Sequence, residues 1–182
     1  MGTIKTTKYK IVKNFLTEEE IKLFNKYVII KHRLNITEFD MYQSVNKDTS
    51  FYADPIMESL LLTKFDLMEK ETNLKLHPTY SYWRMYTKFA DLKKHKDRPS
   101  CEISVTVMIG SDGTPWPIFI GEREIELHKG DAVIYLGCEV EHWRKEFEGD
   151  WHAQVFLHYV DADGKNKEYW KDKRLLWGMN KK

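Results

Sequence analysis

Two segments of this chain alternate strictly in side-chain character, and that alternation limits the available folds more than any other feature. In residues 101–108, Glu102, Ser104, Thr106 and Met108 fall on one side of an extended strand, with Ile103, Val105 and Val107 on the other. In residues 152–159 the same rule sets His152, Gln154, Phe156 and His158 against Ala153, Val155, Leu157 and Tyr159. Successive side chains of a strand point to opposite faces, so each segment has one purely apolar face and one mixed face. The apolar faces need a covering layer, which helices can supply. The mixed faces have two readings: they lie in water, or they line the lumen of a barrel that houses a site.

The rest of the chain is consistent with that layering. Thr17-Glu18-Glu19-Glu20 has the form of a capping box, with Thr17 as N-cap and Glu20 three residues on, and Ile21, Phe24, Tyr27 and Val28 follow at helical spacing. Asp54-Pro55 reads as a second helix start, with Ile56, Leu60, Leu61, Phe65 and Met68 on one wide apolar face. From residue 79 the texture changes to short β runs, at 80–86, 102–109, 118–120, 124–127, 132–136 and 153–160. Ser111-Asp112-Gly113 and Lys129-Gly130-Asp131 mark turns, and Pro115-Trp116-Pro117 excludes helix. Helices first and strands afterwards give an α+β chain with an antiparallel sheet pair or barrel. The expected organisation is a single domain over 1–182, with helical support over about 1–78, a β core over about 79–164 and a tail over 165–182. Within that tail, 168–177 is amphipathic and is expected to pack back on the body.

Composition narrows the function classes. A formal net charge of +1 gives no general case for nucleic acid or an acidic membrane surface. No segment approaches the ~20 apolar residues of a membrane span, and the first residues lack the apolar core of a signal peptide. Met1-Gly2 with Thr6 formally matches a myristoylation motif, but the match is short and common. A cytoplasmic protein is expected. The two cysteines, Cys101 and Cys138, each fall in an apolar run that reads as strand, so buried reduced thiols are expected rather than a bridge. Aromatic residues at 14% suit a β-rich core or a cleft lined by rings.

The chemistry concentrates in two places. His95 and Asp97, two apart in Lys94-His95-Lys96-Asp97-Arg98, project to one face of an extended segment and can reach one ion. His142, in Glu141-His142-Trp143-Arg144, can supply the third ligand from a distant strand. Two imidazoles and one carboxylate on one side of an ion leave open positions, the arrangement of non-haem Fe(II) oxygenases. Alone, a His-x-Asp triplet in a chain with 7 His and 28 acidic residues is weak evidence, and a solvated turn is the bland alternative. A structural zinc site, with Cys138 four residues before His142, would require four closed ligands.

Taken together, these pieces resemble the Fe(II)/2-oxoglutarate-dependent dioxygenases, in particular the prolyl 4-hydroxylase-like branch. The resemblance covers about residues 80–164. It rests on His95-Lys96-Asp97, on the turn and strand Lys129-Gly130-Asp131-Ala132-Val133-Ile134-Tyr135, and on His142, 45 residues after Asp97. It implies a double-stranded β-helix, or jelly roll, with flanking N-terminal helices. It also implies Fe(II) held by His95, Asp97 and His142, with 2-oxoglutarate and O2 as cosubstrates and succinate and CO2 as products. The hydroxylated C–H bond would lie on a prolyl or other amino-acid side chain. In the family a Lys or Arg nine or ten residues after the distal histidine pairs the far carboxylate of 2-oxoglutarate, but this chain has His152 there. Arg144 is the other candidate, offering a bidentate fork, while a surface or structural ion pair is its bland reading. Tyr86 resembles the family tyrosine that contacts the cosubstrate. Ser104, Thr106 and Met108 would line the lumen beside 2-oxoglutarate, with Gln154, Phe156 and His158 opposite. Arg98 orients its loop, meets substrate or is simply exposed, and residues 35–54, with Phe39, Tyr42, Phe51 and Tyr52, form a rim or an ordinary connection. Two other readings stay open: an oxygenase of a small molecule, and a non-catalytic jelly-roll binding module.

Overall fold

The computed structural model describes residues 3–34 and 48–179. Four α-helices lie among them: α1 (Ile4–Thr7), α2 (Glu18–Arg33), α3 (Pro55–Thr63) and α4 (Phe65–Thr72). The strands are β1 (Tyr9–Val12), β2 (Thr49–Tyr52), β3 (Leu76–Thr87), β4 (Leu92–His95), β5 (Ile103–Ser111), β6 (Ile118–Ile120), β7 (Arg123–Ile125), β8 (Ala132–Tyr135), β9 (His142–Arg144) and β10 (Trp151–Asp161). They form a six-stranded sheet in the order β1-β8-β5-β10-β3-β2 and a four-stranded sheet in the order β4-β9-β6-β7. Every pairing within them is antiparallel. This is the double-stranded β-helix expected from the sequence. No helix among the described residues is long and apolar enough to cross a membrane.

The alternation of β5 and β10 decides where the core sits. Ile103, Val105, Val107, Ala153, Val155, Leu157 and Tyr159 join one buried cluster with Phe24 and Val28 of α2 and Met57, Leu60 and Leu61 of α3. The mixed faces turn into the lumen rather than to water, for Ser104, Thr106 and Gln154 have no exposed surface. Antiparallel register sets His158 beside both Ser104 and Tyr80, and Phe156 beside Thr106 and Tyr82. A bulge lets Pro78 sit in β3: His158 pairs with Tyr80 but Tyr159 pairs with Pro78, leaving Thr79 as the extra residue. The smaller sheet closes the lumen, where Ile118, Ile120 and Ile125 pack on Met108, Val133 and Tyr135.

The helix starts follow local chemistry. The Thr17 hydroxyl accepts from Glu20 N at 3.2 Å and the Glu20 carboxylate accepts from Thr17 N at 2.8 Å, completing the capping box. Such a cap contributes about 1 kcal/mol. Asp54 caps α3, accepting from Ile56 N at 3.2 Å and from the Trp83 indole at 3.1 Å. The continuous apolar face expected from Ile56 to Met68 does pack on the core, but the helix breaks at Lys64. The Lys64 ammonium is drawn to Glu20 of α2 at 2.7 Å, a tie invisible in local spacing. The N-terminal region also holds two strands the sequence pattern did not reveal: β1 pairs with β8, and β2 with β3.

Gly130, with φ of 86°, makes the expected turn before β8. The Asp131 carboxylate next to it accepts from Asn14 N at 3.1 Å and Lys13 Nζ at 2.6 Å, tying β1 to that turn. The C-terminal segment does pack back on the body, by means of a buried ion pair. Arg174 and Glu58 meet at 2.6 Å with both side chains 2% exposed. Losing one partner would strand a buried charge at about 3–5 kcal/mol. Cys101 and Cys138 are both free, as expected, but neither lies in a strand: Cys101 ends a short 3-10 turn, and Cys138 is half-buried after β8.

Candidate metal centre

His95 is the last residue of β4, Asp97 follows in extended chain, and His142 opens β9, the neighbour of β4. Pairing of His95 with His142 across those strands brings the rings to a centroid separation of 4.3 Å. Asp97 Oδ1 lies 3.7 Å from His95 Nε2 and 3.4 Å from His142 Nε2. Donors about 2.1 Å from an ion at right angles stand about 3 Å apart, so this spacing is close to that of a ligand set. Each imidazole is oriented from behind by a backbone carbonyl: His95 Nδ1 is 2.6 Å from Lys93 O, and His142 Nδ1 is 3.1 Å from Val140 O. A carbonyl only accepts, so each Nδ1 carries the proton and each neutral ring presents an Nε2 lone pair. Three acceptors therefore converge, and such an array is stable only with a cation among them, whether a metal or a proton.

The electrostatics agree with that. Burial, and then neighbouring His142, push His95 below the ordinary imidazole range, favouring the metal-competent neutral ring. Burial alone would raise the Asp97 carboxyl, yet with the balancing proton on the His142 side, that ring, His158 and the Ser104 hydroxyl hold it at about 2. Ser104 donates to Asp97 Oδ2 at 2.8 Å. Gly137 makes this close approach possible: it accepts from Asp97 N at 2.8 Å, and a Cβ there would collide with Asp97 Oδ2 and Ser104 Oγ.

Above the three groups lies a cavity of about 440 Å³ whose wall includes Tyr80, Tyr82, Tyr86, Leu92 and Phe156. Its rim is held by the C-terminal segment. Arg98 grips Asp172 with both Nη atoms at 3.0 and 2.8 Å, and Tyr52 donates to the same carboxylate at 2.6 Å. Lys171, Asp172 and Lys173 adopt left-handed backbone to deliver it, with φ of 52°, 52° and 62°. Arg98 also lies over the Tyr80 ring, 4.6 Å from its centroid. Of the rim residues expected from 35–54, Tyr52 lines this cavity and Phe51 stacks on Trp83, while Phe39 and Tyr42 lie outside the described residues.

Deeper in the lumen the polar groups are less complete. Arg144, two residues along β9 from His142, is 3% exposed and donates through Nη1 to Trp116 O. Its guanidinium lies 4.6 Å from the Trp116 ring centroid, and its Nε has no partner. Among the described residues no carboxylate pairs with it. Burial lowers it to about 10, with Tyr86 and Tyr135 nearby, so it remains charged at neutral pH. His152 is buried against Trp116 and takes a hydrogen bond from the Gln154 amide at 2.9 Å. Burial, and then Arg144, push its imidazole well below the ordinary range. His152 Nδ1 and Gln154 Oε1 are also buried without partners.

The sequence-derived candidates thus divide. His95, Asp97 and His142 come together, and Ser104 stands behind Asp97. Tyr86, Phe156 and His158 line the same cavity. Arg144, His152 and Gln154 form the deeper cluster, and His152 opens on a second cavity of about 400 Å³ beyond Trp116. Thr106 meets the Tyr135 hydroxyl at 3.3 Å, and Met108 joins the apolar packing. Reading the sequence missed Tyr135, whose ring lies 4.7 Å from that of His142. Alternation from Val133 would have placed it in the lumen. Trp116 and Asp172 carried no such signal.

No family model matches the chain, and no curated protein matches it in sequence. Solved structures do match in fold. A prolyl-4-hydroxylase from Pseudomonas putida superposes with a TM-score of 0.70 at 15% identity, covering 87% of this chain and 95% of that one. A prolyl hydroxylase from Trichoplax adhaerens, in complex with a hypoxia-inducible-factor peptide fragment, gives 0.67 at 10% identity over 94% and 90%. The non-heme alpha-ketoglutarate-dependent carbocyclase SnoK from nogalamycin biosynthesis gives 0.69 at 12% identity over 86% and 81%. The chain shares the double-stranded β-helix fold of these solved structures, two of which are prolyl hydroxylases.

Proposed function

We propose that this chain is an Fe(II)- and 2-oxoglutarate-dependent oxygenase that hydroxylates an unactivated C–H bond of a prolyl or other amino-acid side chain. The observation that carries this is the convergence of two oriented Nε2 lone pairs and the Asp97 carboxylate at 3.4–3.7 Å beneath an aromatic-walled cavity. Iron bound there supplies the activation of O2, coupled to decarboxylation of 2-oxoglutarate to succinate and CO2. His95, Asp97 and His142 hold the ion on one side. Arg144, a buried cation with an unpartnered Nε, receives the far carboxylate of 2-oxoglutarate; the orphaned donor fits an anionic group. His152 and Gln154, in the same buried cluster as Arg144, would border that carboxylate, and Tyr86 lines the cavity above the metal candidates. His152, held neutral by burial, does not serve as the counter-charge. Tyr80, Tyr82 and Phe156 exclude water and orient the substrate.

A second reading, oxygenation of a small molecule, is favoured by one observation. Tyr52 and Arg98, both tied to Asp172, wall the same cavity and so add fixed polar groups to its lining. Likeness to both a peptide-bound hydroxylase and a biosynthetic carbocyclase suits either substrate class.

The test is anaerobic titration with Fe(II) and then 2-oxoglutarate, following the visible charge-transfer band of the chelate. A saturable band, lost in His142→Ala, is expected. Iron bound without a band would overturn the cosubstrate, and no iron bound would overturn the enzyme.

A further inference from the structure

We propose that Ser104 and His158 form a relay that positions Asp97 and keeps its carboxylate bound to the metal through one oxygen only. The proposal rests on the reading of His95, Asp97 and His142 as ligands.

Ser104 Oγ lies 2.8 Å from Asp97 Oδ2 and 3.0 Å from His158 Nδ1. The Ser104 hydroxyl faces two groups that can only accept, Asp97 Oδ2 at 2.8 Å and Cys101 O at 3.1 Å, and its single proton goes to the nearer and charged one, Oδ2. The hydroxyl then has only lone pairs to offer His158, whose Nδ1 must carry a proton and donate it. The direction of the chain is fixed: His158 to Ser104 to Asp97.

It ends on Oδ2, whereas the shortest approach of both His95 and His142 is to Oδ1. The hydroxyl on Oδ2 holds the carboxylate in the rotation that presents Oδ1 to the two imidazoles, so Oδ1 would be the atom offered to an ion. Asp97 therefore contributes one donor atom, and the ion keeps one more position for exogenous ligands. A carboxylate free to swing would chelate through both oxygens and fill that position.

The relay is shielded from water and held rigid. Ser104 has no exposed surface and His158 is 6% exposed. The His158 ring lies against Tyr80 with centroids 4.5 Å apart, and cross-strand register places it beside Ser104. Neither residue belongs to the His95, Asp97 and His142 group, so both act as positioning residues.

The experiment binds Co(II) to the full chain in place of Fe(II), reading affinity by chelator competition and coordination from the visible d–d band. Ser104→Ala and His158→Phe should each weaken Co(II) binding about 10- to 100-fold and alter the band. His158→Asn, whose amide nitrogen can stand where Nδ1 stands, should restore affinity to within about threefold of wild type. Thermal unfolding of the metal-free proteins checks that each variant folds, and the two removals test the relay independently. Wild-type affinity and an unchanged band in Ser104→Ala would overturn the relay, as would an Asn variant as impaired as Phe. A wild-type chain that binds no Co(II) sinks the ligand assignment itself, whereas binding shared equally by all variants sinks the relay alone.

Discussion

The two ends of the lumen hold buried polar groups in opposite conditions. At the metal end the protein has already oriented its donors: each imidazole is fixed by a backbone carbonyl, and Asp97 by Ser104 and the Gly137 carbonyl. At the deep end, Arg144 Nε, His152 Nδ1 and Gln154 Oε1 are buried with no partner among the described residues. Each unsatisfied group costs about 1–3 kcal/mol. The first end gathers acceptors and calls for a cation; at the deep end Arg144 Nε and His152 Nδ1 are donors suited to an anionic group, while Gln154 Oε1 is an acceptor that such a group does not satisfy. On the proposed function, such a site would hold its ion by preorganisation and draw cosubstrate affinity from the two unpaired donors.

Four substitutions would break or sharpen that contrast. His142→Ala strikes the preorganised end and should abolish metal binding, measured by Co(II) titration, while far-UV circular dichroism stays native; retained binding would remove His142 from the centre. Arg144→Met strikes the waiting end. It should weaken 2-oxoglutarate by roughly 2–5 kcal/mol in calorimetry of the metal-loaded protein and leave metal affinity near wild type. Equal losses of both would erase the division between the ends. Gly137→Ala places a methyl against Asp97 and Ser104. It should lower stability by about 1–3 kcal/mol in urea unfolding and weaken the metal by about tenfold. His152→Ala should change 2-oxoglutarate affinity least, within about threefold.

The pH profile bears on that last point. His152 is depressed well below the ordinary imidazole value, so it is neutral throughout the range from about pH 6 to 8. A group with a lowered folded pKa gains its proton only as pH falls further, so 2-oxoglutarate affinity should be flat across this window. Affinity that fell steadily as pH rose through 6–7 would mark His152 as the charged partner after all.

Much of the fold was legible because it rests on local periodicity. The alternations of 101–108 and 152–159 held, and their apolar faces do meet α2 and α3. The capping residues Thr17 and Asp54 start the helices they were expected to start. The least legible strands were β4 and β9, which carry the metal-binding candidates. Leu92-Lys93-Lys94-His95 and His142-Trp143-Arg144 have too few apolar residues to read as strand. Both are made mostly of polar and charged residues, so the apolar alternation that betrays a strand is missing there even though Leu92, His142 and Arg144 are buried. The helix break at Lys64 and the wall at Asp172 were hidden for a related reason: each depends on a charge supplied by a distant segment.

The sequence by itself determined the alternating strands, the helix caps, the turn at Gly130 and the residue types able to hold iron, since each depends on neighbours within a few positions. Only the tertiary structure decided which polar face became the lumen, that Ser104 stands behind Asp97, and that Arg144 is a buried cation without a carboxylate partner among the described residues. Those facts depend on strand register and burial, which join residues tens of positions apart and are set by packing of the whole chain.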